Sequence, residues 1–179
     1  DWKNGYIVVM QHPVTTEYKE SKKHIQETLK AVKNLDYPTF WFWPNVDAGS
    51  DGTSNGIRAF RELEQPKNIH FFKNMEPLDF LKLLSNSKAL VGNSSTGLRE
   101  CAYLGLPVVN IGNRQFRRRR AENVIDVSYS QIEIEKAIKM AIASEKFEGS
   151  TIYGNGNAGT KIADILATTE LTFSKTITY

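Results

Sequence analysis

A three-layer α/β fold built on a parallel sheet is what this sequence predicts, and three observations predict it. Short apolar, β-rich runs alternate with longer amphipathic stretches along the chain. Clusters of glycine and small polar residues follow directly on several of those runs, as at Gly92–Gly97. No internal repeat or low-complexity linker interrupts the alternation, so βαβ units with right-handed crossovers and helices on both faces are expected.

The elements follow in order. Tyr6–Gln11 (YIVVMQ) reads as the first strand, and Glu17–Lys33 as a helix with Ile25, Leu29 and Val32 on one face. Thr39–Pro44 (TFWFWP) is a second strand closed by proline, with Trp41 and Trp43 in the core or at a domain contact. Asp51–Leu63 is a helix and Asn68–Phe72 a third strand. Pro77–Asn86 is a helix expected to turn Leu78, Leu81, Leu83 and Leu84 toward the core. Ala89–Gly92 is the fourth strand and Leu98–Leu104 its helix. Pro107–Ile111 is the fifth strand and Val124–Val127 a short sixth. Helices over Gln131–Ser144 and Thr160–Ala167 complete a domain over residues 1–167, with 168–179 as a tail.

Composition narrows the class. Hydrophobic content of 40% and charged content of 24% are those of a globular domain of 179 residues with a real core. The net charge of +3 comes largely from Arg117–Arg120, so a nucleic-acid surface is not implied, and most of that run is expected to be a solvated loop. The single cysteine, Cys101, excludes an internal disulfide, fits a reducing, cytoplasmic compartment, and reads as a small core residue. No run reaches the ~18 apolar residues of a membrane span, so no membrane association is expected. No signal peptide is visible, and an opening of Asp1-Trp2-Lys3 running straight into a strand resembles a cut within a longer polypeptide.

In open parallel sheets ligands bind beyond the carboxyl ends of the strands. That rule directs attention to His12-Pro13, Asn45, Asn93-Ser94-Ser95 and Gly112-Asn113-Arg114, each just past a strand. The strand–turn–helix passage at Ala89–Glu100 leaves backbone amides unpaired and adds two serine hydroxyls and a helix dipole, a combination that attracts phosphate. His12 can bind phosphate or serve as acid or base near neutral pH, or else simply bond loop backbone. Asn45 can hold a ligand hydroxyl or phosphate, or else cap a turn. Glu100 has Gly97 at the position three residues before it, so no capping box explains it; a ribose diol or a favourable first-turn charge does. Arg114 offers a guanidinium fork to phosphate or carboxylate. His24 and His70 read as structural. There is no Walker lysine motif, G-x-G-x-x-G, Cys/His metal spacing or nucleophile elbow, so no cofactor or metal is expected.

These residues lie in strings that, taken together, resemble the C-terminal half of hydrolysing UDP-N-acetylglucosamine 2-epimerases: QHPVTTE (Gln11–Glu17), PNVDAGS (Pro44–Ser50), GNSSTGLRE (Gly92–Glu100), GLPVVNIGNRQ (Gly105–Gln115), AENV (Ala121–Val124) and IYGNGNA (Ile152–Ala158). QHPVTT resembles the hydrolysing branch, where non-hydrolysing enzymes carry an HRREN-like string. The resemblance implies a Rossmann-like domain of a GT-B-type two-domain enzyme, with UDP or a UDP-amino-sugar as partner. It further implies His12 at the diphosphate and sugar (the catalytic candidate), Asn45 at the phosphate–sugar region, Ser94 and Ser95 on the diphosphate, Glu100 on the ribose, Arg114 near the sugar phosphate, and Phe72-Lys73-Asn74 at uracil. The implied reaction is elimination of UDP to 2-acetamidoglucal followed by hydration to the mannosamine, with the C2 base in an N-terminal domain. On that basis the isolated chain is expected to bind UDP weakly and to be inactive, and the full enzyme to be a dimer or tetramer. A non-hydrolysing epimerase, a GT-B glycosyltransferase and a non-catalytic nucleotide-binding or regulatory module are the alternatives. Arg117–Arg120 departs from the family's Gly/Glu/Thr segment, and Thr168–Tyr179 matches no family string.

Overall fold

The computed structural model describes residues 4–170. Six strands form one sheet: β1 (Ile7–Met10), β2 (Thr39–Phe42), β3 (Ile69–Phe72), β4 (Ala89–Gly92), β5 (Val108–Ile111) and β6 (Val124–Val127). Their order is β3-β2-β1-β4-β5-β6, and every neighbouring pair is parallel. The chain therefore winds outward from β1 to one edge, returns to β4 beside β1, and winds to the other edge. The reversal between β1 and β4 opens a crevice where the following loops diverge.

The helices are α1 (Ser21–Leu35), α2 (Ser50–Glu64), α3 (Pro77–Ser85), α4 (Glu100–Leu104), α5 (Gln131–Ala143) and α6 (Ala158–Thr168). Strand alternation divides the core in two. Ile7, Val9, Trp41, Val91, Val109 and Ile111 face α1, α2 and α5 through Ile25, Leu29, Val32, Ile57, Ile134 and Ile138. Val8, Phe42, Leu90 and Val108 face the other way, onto Leu84 and Cys101. Cys101 is fully buried, and burial pushes its thiol pKa up.

Several boundaries differ from the sequence reading for identifiable reasons. The first helix starts at Ser21 rather than Glu17, because Thr15–Glu20 forms a 3-10 segment in which Glu17 leaves helical geometry (φ −122, ψ 23). The passage after β4 is not one helix from Leu98. It is a 3-10 turn, Ser95–Gly97, followed by the five-residue α4. In α3, Leu84 is buried and Leu83 partly so, but Leu78 and Leu81 are exposed: a helix against a sheet buries one stripe, and these two fall outside it. Trp41 is buried, whereas Trp43 lies beyond β2, partly buried under Arg58. From residue 171 onward the expected tail lies outside the described residues.

Replacing Leu84 by Ala is expected to cost about 2–5 kcal/mol in urea unfolding, whereas Leu78→Ala should change stability by less than about 0.5 kcal/mol. A large loss at Leu78 would contradict this placement of α3.

Candidate nucleotide site at the switch point

The crevice is organised by Asn93, the first residue after β4. Its Oδ1 accepts the His12 amide at 2.7 Å, its Nδ2 donates to the His12 carbonyl at 2.8 Å, and its own amide donates to Met10 at 3.0 Å. Gly92 makes this approach feasible: a Cβ there would stand 2.1 Å from the Met10 oxygen, and its φ is +131. The loops after β1 and β4 are thereby locked together.

His12 is buried by the same lock. The Asn45 amide donates to its Nδ1 at 3.0 Å, so the neutral imidazole carries its proton on Nε2. Burial and then the Arg114 charge push its pKa down to about 4, against a smaller opposing effect of Asp47. That direction leaves His12 uncharged at neutral pH, with an N–H to donate at Nε2.

Arg114 arrives from the loop after β5. It reaches the Asn93 carbonyl through Nη1 and Asp47 through Nη2, both at 3.4 Å. Gln115, 2% exposed, donates to the same Asn93 carbonyl at 2.7 Å. Ser94 Oγ accepts from the Thr96 amide at 3.3 Å, capping the 3-10 turn. None of the loop and cap hydrogen bonds of the described residues uses the amides of Ser94 and Ser95. With α4 only five residues long, the positive field at this turn comes from those amides and the Arg114 charge more than from a helix axis.

The expected site residues thus fall into three places. His12, Asn45, Ser94 and Arg114 meet around Asn93, with Ser95 beginning the turn beside them. Glu100 lies at the far end of that turn, in a groove of about 450 Å³ lined with Leu81, Arg99, Tyr103, Tyr153 and Asn155, and its Oε2 is buried without a partner. Phe72 ends β3 and packs against Phe40 and Phe42, while Lys73 and Asn74 are exposed just beyond it. Residues 72, 42, 10 and 92 are in register, so Lys73 follows on the same sheet rim three strands from Asn93, about 14 Å away. Sequence reasoning gave no separate role to Asn93, Asp47 or Gln115. Asn93 directly follows β4, while Asp47 and Gln115 lie a few residues further into the loops after β2 and β5; a polar residue in a loop past a strand's carboxyl end was the available signal.

A family model described as UDP-N-acetylglucosamine 2-epimerase matches residues 2–167. The chain belongs to this family. A Legionella pneumophila UDP-N,N'-diacetylbacillosamine 2-epimerase (hydrolyzing) is 30% identical over 164 residues, covering 92% of this chain and 43% of the relative. A Neisseria meningitidis serogroup B UDP-N-acetylglucosamine 2-epimerase is 30% identical over 156 residues, covering 87% and 40%. The chain therefore spans less than half the length of these curated relatives. The fold matches crystal structures of UDP-GlcNAc 2-epimerases from Neisseria meningitidis, bound to UDP-GlcNAc (TM-score 0.70, 18% identity, covering 93% of this chain and 46% of that one). It also matches the Methanocaldococcus jannaschii enzyme in complex with UDP-GlcNAc and UDP (TM-score 0.68, 17% identity, 91% and 45%). The epimerase-family fold is thus Rossmann-like, as the alternation predicted. Among the described residues no helix is long and apolar enough to cross a membrane.

Linkage gives the site a pH signature. Between pH 6.5 and about 4 the unfolded chain takes up a proton at His12 that the folded chain refuses. Stability therefore rises with pH through this window and is lost toward its acid end, by up to about 3 kcal/mol from this group. Urea unfolding across the window should show that slope reduced in His12→Asn; an unchanged slope would refute a depressed His12 pKa.

Proposed function

We propose that this chain is the UDP-holding half of a hydrolysing UDP-N-acetylglucosamine 2-epimerase, acting on UDP-GlcNAc or a related UDP-2-acetamido sugar in a sialic-acid type of pathway. The observation that carries the reading is the gathering of His12, Ser94 and Arg114 around Asn93 at the β1/β4 crevice, with the Nε2–H of His12 and the Ser94 and Ser95 amides as the donors available to an anion there. Family membership supports the epimerase class. The QHPVTTE string and the name of the Legionella relative support the hydrolysing branch. Cys101 as the sole thiol supports a cytoplasmic setting.

In this reading the diphosphate sits on the donors around Asn93, Glu100 takes the ribose hydroxyls from its groove, and Phe72–Asn74 meet the base further along the rim. A base removes the C2 proton of the sugar. The electron pair forms a C1=C2 double bond as the C1–O bond breaks and UDP departs. Water then adds across the double bond to give the C2-inverted sugar. Negative charge accumulates on the diphosphate as it leaves, and fixed donors stabilise it there. His12 contributes as a neutral donor whose basicity rises once a dianion lies against Nε2. The C2 base belongs to the remainder of the longer enzyme, so this chain binds UDP without turning over UDP-GlcNAc.

Calorimetry of the chain with UDP tests the binding. Arg114→Ala should weaken it about ten-fold or more, since a charged hydrogen bond is worth about 1.5–3 kcal/mol, and Ser94→Ala and Glu100→Ala should weaken it less. Absence of UDP binding, or release of UDP from UDP-GlcNAc by the isolated chain at an enzyme-like rate, would overturn the reading. With the full-length enzyme, free sugar plus UDP is the expected product. UDP-N-acetylmannosamine would indicate the non-hydrolysing branch, and sugar transfer to an acceptor with C2 unchanged a glycosyltransferase.

A further inference from the structure

Among the described residues the Arg114 side chain makes long hydrogen bonds, 3.4 Å to Asn93 and to Asp47, at the outer limit of hydrogen bonding. Its position is therefore set by the loop that carries it, which is fastened inside the crevice by Gln115 on the Asn93 carbonyl at 2.7 Å and, on the other side of Arg114, at a second point outside it. Asn113 Nδ2 donates to Glu17 Oε1. Glu17 belongs to the QHPVTTE string that also supplies His12, so one short segment holds both a diphosphate donor and an anchor for the Arg114 loop.

The anchor is itself well supported. The second carboxylate oxygen of Glu17 is buried, 3.8 Å from His24 Nδ1. The His24 ring stacks on Tyr129 with centroids 3.5 Å apart and planes 2° from parallel. Tyr129 faces the same carboxylate, and burial followed by that charge raises its pKa. Its ring also presses on Gly112, where a Cβ would stand 2.2 Å from Cζ at a φ of +72. Glu17, His24 and Tyr129 thus form a rigid back wall, and Gly112–Asn113 is the part of the loop seated against it. Glu17 has non-helical backbone angles within its 3-10 segment, and its carboxylate reaches across to Asn113.

We infer that Glu17 and Asn113 are positioning residues that set the Arg114 guanidinium in the crevice by tying its loop to the segment after β1. The affinity arm of the test rests on the UDP reading above; a second arm does not.

Asn113 is exposed, so its removal leaves the core intact. In calorimetry with UDP, Asn113→Ala and Glu17→Ala are expected to weaken binding about five- to ten-fold without loss of fold in thermal melts. Glu17→Gln, whose amide oxygen still accepts from Asn113, should stay within about two-fold of the unsubstituted chain. In an Arg114→Ala background, Asn113→Ala should have no further effect, because it acts through that guanidinium. Equal losses with and without Arg114, or unchanged affinity in Asn113→Ala, would overturn the inference. Independently of any nucleotide, ¹⁵N NMR of the Arg114 Nε–H should report an ordered side chain that becomes mobile in Asn113→Ala. An Arg114 signal indifferent to that substitution would also overturn it. If the unsubstituted chain fails to bind UDP while the NMR response is present, the nucleotide reading fails and the positioning role stands.

Discussion

The reciprocal pair of hydrogen bonds between the Asn93 side chain and the His12 backbone is the constraint on which the rest of the candidate site depends. A buried amide side chain that satisfies both an N–H and a C=O acts as a substitute for one more rung of the sheet, placed where the β1–β4 ladder has ended. It holds the two loops at a fixed separation. It also leaves the Asn93 carbonyl free to receive Gln115 and Arg114, so the third loop is indexed to the same residue. Losing this side chain would leave the His12 amide and carbonyl unpaired in a buried place, and the three loops would lose their common reference.

The electrostatic character of the crevice follows from that geometry. A histidine with its Nδ1 already receiving the Asn45 amide has one tautomer available, and a guanidinium nearby discourages a second positive charge. The arrangement offers an anion a donor that carries no net charge beside one that always does. Asp47, 3.4 Å from the guanidinium and partly exposed, offsets part of the arginine's charge at modest strength.

Most of the architecture was legible because it is local. Val8 against Ile7 and Val9, or Leu90 against Ala89 and Val91, alternates between two apolar faces, and that pattern specifies a two-sided parallel strand without any knowledge of the partner. Ala89–Gly92 and Val124–Val127 coincide with the strands read from sequence. What could not be read depends on contacts distant in the chain. Asn93 and His12 are 81 residues apart, Arg114 and Asp47 67, Asn113 and Glu17 96. An Asn after a strand is equally a turn residue, and only the winding order converts it into a clamp. The broken helix after Gly97 and the outward Leu78 and Leu81 were missed because apolar spacing indicates that a helix has a buried stripe but not how wide the surface facing it is.

The helix α6 has a different status from the other five. All of its residues are exposed, including Ile162, Ile165 and Leu166, which share one side at spacings of three and four. Eleven residues are too few for a helix to persist in water on propensity alone. Within the described residues its helical order rests on its own backbone hydrogen bonds and not on a buried face. In solution the amides of α6 would exchange with solvent on their own clock, uncoupled from the slow breathing of β1 and β4 at the centre of the sheet.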